Sequence, residues 1–343
     1  MNNSRCLWVD YAKFFAIFGV ALVHVPIPVE AKKFIYVWLI PLFFFLSGIF
    51  SKQYPGILTF FKKRNFQILI PYLTFNIVTY FFWLLIGRYY GDDANTVTPF
   101  WKPLLGMIYG SGHSLVHCVP LWFLPCFFWV ENIYFLTTGY GAPRKTKIIY
   151  MISFAIIGWL NYRFNPQLLP WGFGSALVMA VFYGLGDTVG KTFLKRSINS
   201  LKYNFLLFFL SAITMIFVYF WLPVNEKIAV VDNLYGNYLF FFIGALVGII
   251  GITAFCKWLE NVCIPLKPLL FIGRNTMIIL GFHLMAMSFI KAIAFFILGL
   301  PLSFFDQTFY AILLAIGSLI LCVPVILIIN KYIPWFIGKK LAK

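Results

Sequence analysis

Residues 5–28 read RCLWVDYAKFFAIFGVALVHVPIP, and the reading of the whole chain turns on this stretch. Between Trp8 and Ile27 the only strongly polar side chains are Asp10, Lys13 and His24. A helix crossing a ~30 Å hydrocarbon core needs about 20 mostly apolar residues, so 8–27 suffices for one crossing. Pro26 and Pro28 follow at once, and proline removes a backbone donor and clashes with the preceding turn. They predict a helix that kinks or ends just after His24, leaving a cavity beside it. No small-residue cleavage site is evident, so the stretch reads as a retained span rather than a signal peptide.

Lys13 and His24 are eleven residues apart, which at 100° per residue is three turns plus about 20°. They therefore share a helix face, about 16 Å apart along the axis. Asp10 lies one turn below Lys13, so one face carries an acid, a cation and an imidazole. Charges at membrane depth are costly and tend to mark function. The bland alternative is an Asp10–Lys13 pair beside a structural histidine, which leaves His24 on that face unexplained.

The same ruler applied outward gives ten spans: 8–27, 34–50, 66–87, 120–138, 148–164, 168–186, 203–222, 234–251, 269–290 and 308–330. The expected fold is an all-α polytopic membrane protein forming a single domain over 1–343. Composition agrees: 62% of the 343 residues are hydrophobic, 21% aromatic and 11% charged, against roughly a quarter charged in soluble domains. An ordinary soluble enzyme, a disordered chain and a disulfide-stapled domain are excluded. The six cysteines (6, 118, 126, 256, 263 and 322) form no C-x-x-C pair and read as small buried hydrophobes. No Walker sequence, G-x-G-x-x-G or clear internal repeat is present.

Lys and Arg outnumber Asp and Glu by 27 to 10, for a net charge of +17. Ten spans place alternate loops on one side, and that side collects eighteen of the 27 cations, among them Arg5, Lys62, Lys63, Arg64, Lys195, Arg196, Lys340 and Lys343. Glu30, Asp92, Asp93, Glu226, Asp232 and Asp306 fall opposite. Basic loops stay cytoplasmic, so both termini are expected there, in the cytoplasmic (inner) membrane. Anionic lipid headgroups account for the basic loops without nucleic acid. A homo-oligomer is compatible with the sequence.

Beyond the first span, the ionisable groups at membrane depth are Glu131, Arg274 and His283. His24 and His283 have similar calculated depths on different helices, so the two imidazoles can flank one site. Arg274 on the same span is half a turn of rotation from His283, whereas Thr276 shares its face. Glu131 is expected to be protonated or paired with a cation from another helix. His113 and His117 would meet on a helix, but no third ligand has a convincing spacing and no metal is expected. Tyr89, Tyr90, Trp101 and Tyr109 beside Asp92 and Asp93 suit sugar rings, although interfacial aromatics are common.

Five motifs in order resemble the membrane-bound acyltransferase-3 family, in particular its fucose 4-O-acetylase-like branch. They are Arg5 through Asp10 and Lys13 to His24; Pro41-Leu-Phe-Phe-Phe-Leu-Ser47-Gly48; Lys62-Lys63-Arg64 leading to Ile70-Pro71-Tyr72; Trp122-Phe-Leu-Pro125; and Phe271-Ile-Gly273-Arg274-Asn275-Thr276 on to His283. The resemblance covers most of the chain. It implies transfer of an acyl group, usually acetyl from cytoplasmic acetyl-CoA, to a hydroxyl of a cell-surface glycan or its lipid-linked precursor. It puts His24 at the catalytic position, with Lys13 supporting donor binding or the electrostatics of the site. Many members carry two arginines three apart at the third-span entry; here Gln67 follows Arg64, leaving Lys62, Lys63 and Arg64 as candidates for the donor phosphates.

An alcohol is a poor nucleophile, so acyl transfer needs a base with a pKa near neutrality. His24 is expected in that role, a covalent acyl-imidazole being the second version. Asp10 is expected to pair with Lys13, and His283 or Arg274 to stabilise the oxyanion, with Arg274 also available to the donor. Trp122, Glu131 and Trp101 are expected on the substrate side. The competing class is a secondary transporter or flippase of lipid-linked sugars, using Asp, Lys and His as a proton relay.

Overall fold

A computed structural model describes residues 6–89, 98–139, 141–165, 167–191, 200–221, 227–262 and 264–339. Arg5, Tyr90, Asp92, Asp93, Lys195, Arg196, Glu226, Cys263, Lys340 and Lys343 lie outside the described residues. The helices are α1 (Leu7–Val23), α2 (Val29–Ile49), α3 (Ile57–Phe60), α4 (Phe66–Leu85), α5 (Lys102–Tyr109), α6 (Phe123–Thr138) and α7 (Arg144–Phe164). They continue as α8 (Phe173–Leu185), α9 (Leu201–Trp221), α10 (Tyr238–Val262), α11 (Lys267–Arg274), α12 (Thr276–Phe296) and α13 (Thr308–Tyr332). Two strands, β1 (Ile228–Ala229) and β2 (Leu234–Tyr235), form a small antiparallel hairpin.

The protein is an all-α polytopic membrane protein. Among the described residues, seven helices are long and apolar enough to cross a membrane. They are α2, the run containing α3 and α4, and those containing α6, α8, α10, α12 and α13. Helices α1, α7 and α9 occupy the other three expected positions. The eighth expected span began at 234, but Leu234 and Tyr235 belong to the hairpin and α10 starts at Tyr238. The ninth is broken at Asn275 into α11 and α12. Asn275 Nδ2 donates to Phe271 O, and its Oδ1 accepts from Asn330 Nδ2, both at 2.8 Å. A side chain that satisfies a helix-end carbonyl offers the backbone an alternative to another turn.

Helix α1 lies inside the bundle, against α2, α10, α11, α12 and α13. It starts where the Leu7 amide donates to Glu260 Oε1 at 2.9 Å. Its end follows from the prolines: Val23 is the last helical residue, and the His24 amide closes the terminus on Ala21 O at 3.2 Å. Helix α8 is buried almost all round, with Gly174 through Gly184 out of contact with the surroundings. By contrast α9 turns Phe205, Leu206, Phe209, Leu210, Ile213 and Ile216 outward, the inverted exposure expected where lipid is the solvent. Helices α2 and α8 approach so closely that a Cβ at Gly48 would lie 2.0 Å from Tyr183 O, and one at Gly186 2.1 Å from Phe45 O. Close backbone approach at small residues is how membrane helices gain contact.

Candidate active site

Two cavities lie beside α1. The chamber, about 250 Å³, is lined by His24 and by side chains of α1, α2, α6, α12 and the hairpin. Apart from Lys13, His24, Tyr36, Ser47, Arg64 and Thr276 its wall is apolar or aromatic, with Trp122 and Phe127 among the rings. The vestibule, about 350 Å³, is lined by six cations (Lys13, Lys52, Lys63, Arg64, Lys147 and Lys191) and two carboxylates, Glu131 and Asp187. Lys13, Ser47 and Arg64 belong to both linings, so the cavities meet at these three side chains.

Both carboxylates of the vestibule are committed to cations. Arg64 Nη2 donates to Glu131 Oε1 at 2.6 Å, and Arg64 Nε to the other carboxylate oxygen, in a two-pronged pair. Gln67, where the family pattern sets a second arginine, accepts from Arg64 Nη1 at 3.2 Å and steadies the fork. Asp187 accepts from Ser51 Oγ at 2.6 Å, from Tyr134 OH at 2.8 Å, and from the ammonium groups of Lys147 and Lys191. Lys191 also reaches the Ser51 carbonyl at 2.8 Å. One carboxylate shared by two ammonium groups leaves a surplus positive charge at the cavity wall. Tyr54, in the loop at the mouth, has its phenol pKa raised by burial.

Each of these carboxylate clusters involves a π-helical turn, Phe61–Asn65 carrying Arg64 and Gly186–Gly190 carrying Asp187. One extra residue in a turn re-aims its side chains, and such turns recur at functional sites. In the first of them, Lys63 and Arg64 line the vestibule while Lys62 is exposed and lines neither cavity.

At the chamber, His24 is the residue that closes α1, beyond its last regular turn. Lys13 lines the same chamber from the same helix, and its Nζ stands 5.8 Å from the Phe50 ring centroid. The rings of His24 and His283 are 5.4 Å apart between centroids, tilted by 54°. His283 is fully buried, its Nδ1 2.8 Å from Ile279 O. Val230 and Val231, between the two strands, also line the chamber.

The structure thus brings together Lys13, His24, His283, Arg64, Lys63, Glu131 and Trp122. Four expectations are revised. The carboxylate of Asp10 is held by Arg274 Nε at 2.8 Å, and neither residue lines the chamber or the vestibule. This pair ties α11 to α1, because the break at Asn275 frees Arg274 from the rotation of α12. Glu131 has the partner cation that was one of its two expected states, Arg64, but it lines the vestibule and so falls away from the expected substrate side. Trp101 is half-exposed ahead of α5 and lines neither cavity. His113 and His117 do not share a helix: His113 meets Asp232 at 3.2 Å, and His117 Nε2 lies 2.8 Å from Asn76 Oδ1. Burial holds the His117 pKa down at about 4.

Sequence reasoning missed Asp187, Lys147, Lys191, Ser51 and Tyr134. In the sequence Lys147 and Lys191 count among the eighteen cations whose side sets orientation. The signal available was Asp187 itself, an acid on the side where the cations collect.

Compared with protein-family models, residues 7–329 match one described as an acyltransferase domain, nearly the whole chain. No curated protein and no solved structure matches.

Proposed function

The chain belongs to the membrane acyltransferase-3 family, and from that premise we propose that it is an acyl-CoA-dependent O-acyltransferase acting at the inner membrane. The acyl group is acetyl, and the acceptor is a hydroxyl of a cell-surface glycan or of its lipid-linked precursor. The observation that carries this reading is the junction of a cationic vestibule with an apolar chamber at Lys13, Ser47 and Arg64, with His24 in the chamber wall.

Coenzyme A is polyanionic at its nucleotide end and thin along its thioester arm. The nucleotide matches the vestibule, where Lys63, Lys147 and Lys191 supply charge to phosphates. The arm passes Lys13 and Arg64 into the chamber, whose wall excludes water from the thioester. His24 then acts as general base. It takes the hydroxyl proton as the oxygen bonds to the carbonyl carbon, the carbon–sulfur bond breaks, and the imidazolium returns that proton to the departing thiolate. A positioned general base contributes about 10²- to 10⁴-fold.

Purified protein in proteoliposomes, given labelled acetyl-CoA and surface glycan from the host cell, tests this. Label should move to glycan with the wild type, while His24→Ala binds acetyl-CoA but turns over at least about 100-fold more slowly. Wild-type-like turnover by His24→Ala removes His24 from the role of base. Transport of glycan without label transfer by the wild type overturns the transferase reading.

A further inference from the structure

We propose that His283 is the hydrogen-bond acceptor that orients His24 and fixes its tautomer, a positioning residue behind the base. The proposal rests on the reading of His24 as general base. Three observations converge on it. The first is the 2.8 Å contact between His283 Nδ1 and Ile279 O. A carbonyl oxygen only accepts, so Nδ1 must carry the proton and donate it.

The second follows from the first. In a neutral imidazole the other nitrogen is then a bare lone pair. His283 Nε2 is buried, with no hydrogen-bond partner among the described residues. A buried acceptor without a donor is costly to keep, and the fold keeps this one in a fully buried side chain. The third is position. The His24 ring stands 5.4 Å away, centroid to centroid, and His24 also lines the chamber. A centroid spacing of 5.4 Å matches that of two imidazoles joined nitrogen to nitrogen by a hydrogen bond of about 3 Å.

The chemistry asked of His24 needs this arrangement. To accept a hydroxyl proton, one nitrogen must be bare toward the chamber, so the other is an N–H that needs somewhere to go. His283 Nε2 supplies that place. When His24 becomes imidazolium it has two N–H groups. One gives its proton to the departing thiolate; the other stays on His283 Nε2, which shares the positive charge without taking the proton. The same tautomer argues against His283 as oxyanion donor, since its free nitrogen has no proton to give.

The test compares His283→Phe with His283→Gln in the full-length protein, by steady-state kinetics with labelled acetyl-CoA and surface glycan. Phenylalanine preserves an apolar ring, whereas glutamine keeps an acceptor near the Nε2 position. The expected result is a fall in kcat of about 10- to 100-fold for Phe, with donor KM within about twofold, and partial recovery for Gln. A packing role predicts the opposite order, Phe above Gln. That order, or a loss confined to donor KM, overturns the proposal, as does wild-type kcat in His283→Phe. If Phe prevents folding, as read from the thermal midpoint in detergent, kcat for Gln decides: retention above one-tenth supports the acceptor role, and inactivity in a folded protein overturns it. His24→Ala runs in parallel. If it remains active, the base assignment fails; if it is inactive while His283→Phe turns over normally, only the positioning role fails.

Discussion

Lys191 is part of a carboxylate-centred cluster and also faces the cavity proposed to take the donor's phosphates. Its side chain is a little over one-third exposed, so its electrostatic contribution is screened and worth about 0.5–1 kcal/mol. Lys191→Ala should therefore raise the KM for acetyl-CoA by roughly two- to fivefold, with kcat nearly unchanged. Asp187 keeps Lys147, Ser51 and Tyr134, so the fold should hold. Initial rates over a range of acetyl-CoA concentrations decide this; an unchanged KM removes Lys191 from the donor site. At this scale the sequence was informative where spacing fixes geometry. Lys13 and His24 share a cavity because eleven residues are close to three whole turns. The Arg274 partner of Asp10 was not foreseen because it lies 264 positions away, and no local period reports such a contact.

The elements that build the vestibule owe their geometry to small residues and to turns with an extra residue. Gly48 and Gly186 let α2 and α8 touch backbone to backbone, and Ser51 and Asp187 meet just beyond that contact. Overpacking of this kind costs about 1–3 kcal/mol. Gly48→Ala, whose Cβ would fall 2.0 Å from Tyr183 O, should lower the thermal midpoint in detergent and raise the donor KM together. A wild-type midpoint would mean that the helices part without cost. The positions of the helices were legible because length and hydropathy report them directly. The break at Asn275 was not, because Gly273-Arg274-Asn275-Thr276 contains no proline, and the cap depends on Asn330 from another helix. The two π-helical turns were equally silent, since the extra residue in each is a matter of backbone register that hydropathy does not report.

For the whole molecule, the charge asymmetry between loops carries a prediction of sidedness. The vestibule contains Lys52, Lys63, Lys147 and Lys191, all from the side assigned to the cytoplasm. Added acetyl-CoA should label glycan in inverted membrane vesicles and fail to do so in right-side-out vesicles. Labelling only in right-side-out vesicles would reverse the orientation. The meeting of the two cavities bears on a separate matter, the insulation of the membrane. A transfer path between the two faces of a bilayer, as in the proposed reaction, threatens to discharge its ion gradients. Lys13 and Arg64 place cationic side chains where the two cavities meet, and fixed positive charge at a constriction repels protons and metal cations. In the proposed reaction, the charges that admit the anionic donor from one face also form an electrostatic barrier, so that a small acyl group passes between compartments without a leak of current.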